Sequence, residues 1–186
     1  MDNGACSYRR FLDGDDKGLE EIVRDCKDGL IFFLLGFVGD FSTAEELMQE
    51  TFFRLITRKP RFQPESGFKT WLYTVARNIA LDHLRHQAKT APLSYEDAAA
   101  DLADVTDLEQ SFLKEEQKIA VHRALKTLAP DYRQVLWLLF FEELSPAEAG
   151  RVMKKSPRQM KNLVYRAKAA LKSELEKEGF EYEDLS

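Results

Sequence analysis

Residues 144–172 are LSPAEAGRVMKKSPRQMKNLVYRAKAALK, and two helix-start signals stand eleven residues apart within them. Ser145-Pro146-x-Glu148 opens one helix and Ser156-Pro157-x-Gln159 opens the next. In each, a serine hydroxyl caps orphan amides of the first turn. Proline takes the first helical position, where no amide hydrogen bond is lost. The spacing predicts a short helix over 146–153, a tight turn at Lys154-Lys155-Ser156, and a long helix over 157–177. That is helix-turn-helix spacing. The long helix is expected to bury Met160, Leu163, Val164, Ala167 and Leu171. Its outer face then carries Arg158, Lys161, Asn162, Tyr165, Lys168 and Lys172. Arg and Asn can bond bidentately to purine edges, Lys meets phosphate, and the helix N-terminus adds donors. The plain alternative is a solvated basic helix with no nucleic-acid role. Gly150 is consistent with close packing of the short helix on its neighbour.

Helical periodicity continues outward in both directions, and no run alternates with period two. Residues 130–143 are almost wholly apolar from Val135 to Phe141, so that helix should be buried. Another is predicted over 112–128. From about 90 to 110 the pattern lapses into Ala, Asp and Glu, which marks an acidic linker extended by its own repulsion. Before it, Phe68, Trp71, Leu72, Val75, Ala76, Ile79 and Ala80 form the cleanest apolar stripe in the chain, on a helix from Phe68 to about His86. Pro60 and Pro64 break the chain into a loop over 59–67. A helix over 42–57 opens with Ser42-x-x-Glu45, a capping-box pattern. Its stripe is Ala44, Leu47, Met48, Phe52, Leu55 and Ile56. One or two further helices are expected near 19–26 and 30–38. The fold class is therefore all-α, with two small helical domains joined by an acidic linker.

The chain has 186 residues, 44% hydrophobic and 32% charged, with a formal net charge of −5. That composition supports a packed core and argues against wholesale disorder. A net negative charge argues mildly against a nucleic-acid binder, but the charge is segregated. Residues 54–89 carry a net +6 and 151–172 a net +8, while 1–53 and 90–116 each carry −7. Met1 to Asp16 has no basic start followed by an apolar core. The longest apolar run, Leu30 to Val38, is far short of the roughly 20 residues of a membrane span. A cytoplasmic protein without membrane insertion is expected, with Cys6 and Cys26 as free thiols.

Basic residues interleave with aromatics in the first basic block: Lys59, Arg61 and Phe62 in the loop, then Lys69, Tyr73, Arg77 and Asn78 on the helix. Aromatic faces among cations suit unstacked bases. Phe68 and Trp71 belong to the core, whereas Phe62 and Tyr73 are less well explained by burial. On the 42–57 helix, Phe53 stands among Glu46, Gln49 and Glu50. An exposed aromatic with flanking carboxylates suggests a docking site for a basic protein partner. Burial of Phe53 under the N-terminal helices is an equal alternative from periodicity alone. His83 and His86 lie near Asp82, but no third or fourth ligand has suitable spacing. No metal, no cofactor and no catalytic residue is expected, since no phosphate loop or nucleophile elbow is present.

Three stretches together resemble bacterial sigma factors. Residues 43–56, TAEELMQETFFRLI, resemble region 2.2. Residues 68–85, FKTWLYTVARNIALDHLR, resemble regions 2.3 and 2.4, and residues 144–171 resemble region 4.2. Regions 1 and 3 of primary sigma factors have no counterpart, which points to the compact extracytoplasmic-function (ECF) group. The resemblance implies that 1–89 form region 2, 90–111 a flexible acidic linker, 112–178 region 4, and 179–186 an acidic tail. It implies a subunit that binds RNA polymerase core and recognises promoter −10 and −35 elements. Glu46, Gln49, Glu50, Phe53 and Arg54 would dock on the clamp helices of the largest catalytic subunit, with the polymerase flap region as a further contact. Lys59, Arg61, Phe62, Lys69, Tyr73, Arg77, Asn78 and Arg85 would trap the opened −10 element. Ser156, Arg158, Gln159, Lys161, Asn162, Tyr165, Arg166 and Lys168 would read the −35 element in the major groove. The linker would thread the channel used by nascent RNA. Many relatives are also held inactive by an anti-sigma factor clamped on these surfaces.

Two departures stand out. Family turns commonly place Gly before the capping Ser of the recognition helix, whereas Lys154-Lys155 precede Ser156 here. The tail 179–186, with Phe180 and Tyr182 among acids, carries no family motif. The competing reading is an autonomous helix-turn-helix regulator whose first half senses a ligand or dimerises, which leaves the 59–89 block and Phe53 without a task. A gel shift separates the two. The regulator predicts specific duplex binding by the free protein. The polymerase subunit predicts little binding until core polymerase is added.

Overall fold

The computed structural model describes residues 3–62, 67–90 and 116–177. The predicted acidic linker beyond Thr90 and the tail 179–186 lie outside the described residues, as do 63–66 of the proline loop. Among the described residues the regular structure is entirely helical. In chain order it comprises α1 (Asn3–Leu12), α2 (Asp16–Val38), α3 (Phe41–Arg58), α4 (Phe68–Thr90), α5 (Glu116–Thr127), α6 (Pro130–Leu136), a π-helical segment (Trp137–Phe141), α7 (Pro146–Met153) and α8 (Pro157–Lys177).

Helix α1 is the element that periodicity did not supply. A ten-residue helix is too short to hold itself in water. Tertiary burial holds it, through Tyr8 and Phe11, both almost wholly inside. The two stretches expected near 19–26 and 30–38 are one continuous helix. Asp15 caps it by accepting from the Lys17 amide at 3.1 Å, and Gly39 ends it in the left-handed region at φ 81°. From Leu30 to Gly36 every residue of α2 is buried. A helix apolar all round is one that neighbours enclose. Helices α1, α3 and α4 pack against α2, and so do α6 and the π-helical segment.

Helix α3 starts one residue before the expected position, with a different cap. Asp40 is the N-cap, and its carboxylate accepts from the Thr43 amide at 2.8 Å. The capping box expected from Ser42 and Glu45 does not form, because Ser42 already lies inside the first turn. Ala44, Leu47, Met48, Phe52 and Leu55 are buried as expected, each large side chain contributing about 1.5–3 kcal/mol. Ile56 is a correction, since it is exposed.

In the second half, both start signals are realised. Ser145 and Glu148 close a capping box at α7. Ser156 and Gln159 do the same at α8: the Gln159 amide donates to Ser156 Oγ at 3.3 Å, and the Ser156 amide to Gln159 Oε1 at 2.8 Å. Lys154 takes the left-handed conformation at φ 54°, a backbone region that favours glycine. Gly150 provides close packing, as a β-carbon there would stand 3.1 Å from Met160 Cγ. Residues 130–143 differ from a plain buried helix. The ladder widens after Leu136, with the Glu142 amide donating to Trp137 O at 3.1 Å. Val135 to Leu138 stay buried, but the changed pitch turns Phe140 outward, 56% exposed, with Phe141 40% exposed beside it.

The two halves are not beads on a tether. One continuous apolar core includes Leu30 to Leu35 of α2, Leu72 and Ala76 of α4, and Val135 to Leu138 of the second half. Phe32 meets Trp137 at 5.1 Å between ring centroids.

Asp40→Ala should cost about 0.5–2 kcal/mol by loss of the cap, whereas Ser42→Ala should be near neutral. Thermal or urea unfolding of the two variants checks this. The reverse ranking would restore the Ser42 cap.

Candidate nucleic-acid and partner interfaces

Helix α8 is held from beneath by Met160, Ala167 and Leu175, with Leu163, Val164 and Leu171 half-buried. Arg158, Lys161, Asn162, Tyr165, Arg166 and Lys168 are all exposed, together with the capping pair Ser156 and Gln159. Tyr165 is 77% exposed, far more than a structural tyrosine needs. Lys168 Nζ lies 5.3 Å from the centroid of the Phe140 ring. Between α7 and α8 runs a groove of about 850 Å³ with Gly150 and Met160 at its floor and Arg151, Lys154, Lys161 and Lys168 around it. No acidic side chain lines it. A capped helix N-terminus and a uniform cationic face can seat against a phosphate backbone while Arg158 and Asn162 reach base edges.

The first basic block divides into an open part and a covered part. Lys59 and Arg61 are exposed, and Lys59 Nζ sits 4.9 Å over the Phe11 ring. Phe62 is half-buried, edge-on to Phe68 at 5.8 Å and 5.7 Å from Trp71. Tyr8 anchors this segment by donating to Pro60 O at 2.7 Å. Burial pushes the Tyr8 phenol up to about 12. Arg85 is exposed and paired with Asp82 at 3.0 Å.

Tyr73 requires a correction. Its face of α4 was expected to be solvent-facing, yet Tyr73 is 0% exposed. It packs edge-on against Phe33 at 5.1 Å. Burial first, and then the neighbouring Glu142 carboxylate, push its phenol far above the ordinary range. Lys69 is half-buried and paired with Glu142 Oε2 at 2.9 Å. Arg77 is half-buried, with its Nε lacking a hydrogen-bond partner. Desolvation lowers its pKa, and Asp131 of α6 partly offsets that. Asn78 is half-buried beside it. Sequence periodicity measures one helix against one core, so it could not show that a second set of helices lies over this side.

On α3, Phe53 is 59% exposed, which removes the alternative of burial under the N-terminal helices. Glu46 and Gln49 are exposed beside it. Glu50 and Arg54 pair at 2.7 Å one turn apart. Ile56 is a residue that sequence reasoning assigned to the core. It is 43% exposed and extends the apolar patch of Phe53. The i, i+3 spacing of the two was the available signal. Among the described residues no three His, Cys, Asp or Glu side chains, His83 and His86 included, lie together as a metal site would need. No described helix is long and apolar enough to cross a membrane.

A basic, doubly capped helix-turn-helix packed on a helical bundle with a second basic face and an exposed apolar patch is the arrangement of a DNA-binding protein. Comparison with known proteins makes this specific. Residues 22–90 match the family model of sigma-70 region 2, and residues 118–171 that of sigma-70 region 4. The chain is 33% identical over 149 residues to the RNA polymerase sigma factor CarQ of Myxococcus xanthus, covering 80% of this chain and 83% of that one. It is 30% identical over 155 residues to the ECF RNA polymerase sigma factor SigM of Bacillus subtilis, covering 83% and 93%. The fold is that of the sigma factor RpoE solved in complex with the anti-sigma factor NepR from Bartonella quintana. That match has a TM-score of 0.62 at 19% identity over 86% of this chain and 98% of the other.

The chain belongs to the ECF sigma factors of RNA polymerase. It directs promoter-specific initiation of transcription, with RNA polymerase and promoter DNA as its partners.

Tyr8→Phe tests the anchor of the 59–62 segment. Loss of the bond to Pro60 should cost about 0.5–1.5 kcal/mol and speed tryptic cleavage after Arg61. The raised phenol also has a signed consequence. An unfolded tyrosine ionises near ~10, so the wild type keeps this contribution below that pH and loses it as pH rises towards 12. Tyr8→Phe should flatten the alkaline decline, read as Tm against pH. An unchanged decline would place its origin elsewhere.

Proposed function

We propose that the three faces divide the work of initiation. Helix α3 docks on the clamp helices of the largest polymerase subunit through Glu46, Gln49, Glu50, Phe53 and Arg54, and Ile56 joins that patch. Lys59, Arg61, Phe62, Lys69, Tyr73, Arg77, Asn78 and Arg85 hold the opened −10 element. Ser156, Arg158, Gln159, Lys161, Asn162, Tyr165, Arg166 and Lys168 seat α8 in the −35 major groove. The observation that carries this reading is the exposure of Phe53 beside Ile56 on a carboxylate-bearing helix. An autonomous regulator has no use for such a patch. A subunit that must join a larger enzyme has one.

In this reading residues 1–89 are the core-binding and −10 unit, 112–178 the −35 unit, 90–111 an acidic linker through the polymerase, and 179–186 a tail. The protein acts in the cytoplasm by binding rather than catalysis and needs no metal or cofactor. The polymerase flap region is a second contact. An anti-sigma factor is a further partner in this reading, supported by the similarly folded sigma factors solved with NepR and with CnrY.

Phe53→Ala should weaken capture of core polymerase at least tenfold while leaving helical circular dichroism intact, as expected of an aromatic anchor. Unchanged capture would remove α3 from the interface. Arg158→Ala should lower discrimination at one −35 base pair by about 1–3 kcal/mol in run-off transcription. An equal loss on every sequence would make Arg158 a phosphate contact instead.

A further inference from the structure

Helix α1 precedes the stretch that matches sigma-70 region 2, which begins at residue 22. It is nevertheless built into the bundle. Gly4 lies against the Phe68 ring of α4. Gly18 of α2 lets the α1 backbone approach so closely that a β-carbon there would stand 2.9 Å from the Phe11 amide nitrogen. Tyr8 and Phe11 are 1% and 4% exposed, so α1 is fixed to its neighbours by its largest side chains. A helix seated in this way can hold another part of the chain, and the part it holds is the segment that leaves α3.

That segment, 59–62, is fastened to α1 at successive residues. Lys59 leaves α3 in the left-handed region at φ 41°. A non-glycine residue keeps such a conformation where the surroundings hold it. Its ammonium rests 4.9 Å over the Phe11 ring. Pro60 has no amide, so its carbonyl is the one backbone hydrogen-bonding group it offers. Tyr8 takes that group, donating at 2.7 Å across 52 residues of sequence. Phe62 sits on Phe68 and Trp71 at 5.8 and 5.7 Å. The Tyr8 ring packs on the same two rings, at 5.5 and 5.2 Å. Arg61, exposed, stands between two fixed neighbours.

We propose that α1 is a positioning element for promoter recognition: Tyr8 through Pro60, and Phe11 beneath Lys59, hold the 59–62 segment in the one geometry in which Arg61 and Phe62 meet the −10 element. The proposal rests on the assignment of this segment to the −10 element, and the test separates the two. Its physical basis is pre-organisation. A segment already held in its binding conformation adds no ordering cost when DNA arrives. A held segment also discriminates, because a side chain fixed in place cannot readjust to a wrong base, whereas a loose one can. Tyr8 and Phe11 are buried, so they act through Lys59, Pro60 and Phe62 rather than by touching DNA.

The test uses holoenzyme formed from core polymerase and the full-length chain. A promoter that the wild-type holoenzyme transcribes, chosen from genomic fragments, is randomised separately at its −10 and −35 elements, and the run-off transcripts are sequenced. Tyr8→Phe removes only the hydroxyl. Phe11→Leu removes the ring under Lys59 and keeps an apolar side chain in its place. Tyr8→Phe should flatten the −10 preferences about threefold, and the double variant about tenfold. The −35 preferences and the capture of core polymerase should not change. Preferences are ratios within one sample, so a variant that folds in lower yield still reports them.

Unchanged −10 preferences in the double variant would overturn the proposal. Flattening at both elements would do so too, because it marks a structural role alone. Arg61→Ala and Phe62→Ala distinguish that failure from failure of the underlying assignment. If they flatten the −10 preferences while the α1 variants do not, the segment reads the −10 element without help from α1. If they leave those preferences unchanged, the −10 assignment of 59–62 falls and the positioning role falls with it.

Discussion

The structure depends on the burial of one helix segment, Leu30 to Gly36 of α2, on every side. An ordinary surface helix of a small bundle has an apolar stripe and a wet face. This one has no wet face over two turns. Leu30, Phe33 and Leu34 face the bundle of α1, α3 and α4, while Phe32 and Gly36 meet Trp137 and Gln134 of the second half. Because the same helix serves both halves, its burial is what gives them a single core. The polar groups brought in with them, Glu142, Tyr73 and Lys69, are then obliged to find one another in a confined space.

That constraint sorts the functional faces. Helix α3 turns Phe53 and Ile56 away from α2, so the proposed polymerase contact is open. Helix α8 lies outermost, so its cationic face and Tyr165 are open too. Helix α4 is sandwiched, and its basic face is partly withdrawn from solvent. The acidic side chains doing the covering, Glu142 and Asp131, come from a segment whose net charge is zero. The segregation of charge along the sequence therefore becomes a segregation of access in space.

Much of this was legible from residues. The two Ser-Pro starts carried enough local chemistry to set the bounds of α7 and α8. The stripe of α4 was recovered because Phe68, Leu72, Ala76 and Ala80 follow one helical face. The outward set on α8 was legible for the same reason. Other features were not. The α3 cap went to Asp40 rather than Ser42 because two neighbouring residues can both cap, and only the entry path of the chain chooses. Helix α1 was missed because its three large apolar residues, Tyr8, Phe11 and Leu12, span little more than one turn, too short a run to register as a period. Tyr73 was misplaced because it borders the α4 stripe, and only the packed structure sets Phe33 on one side of it and Glu142 on the other.

The sequence by itself determined the all-α class, the helix-turn-helix, the two basic blocks and the family, because capping chemistry, periodicity and motif spacing are local and survive without tertiary context. Tertiary structure alone decided which candidate side chains are reachable. Exposure is a property of what lies opposite. Nothing within α4 announces that Glu142, some seventy residues later, will close over Lys69 and Tyr73. The apolar run at Leu30 to Val38 was visible from the start as too short for a membrane. Only the packed structure shows what its missing polar face is for: it is shared between the two halves of one protein.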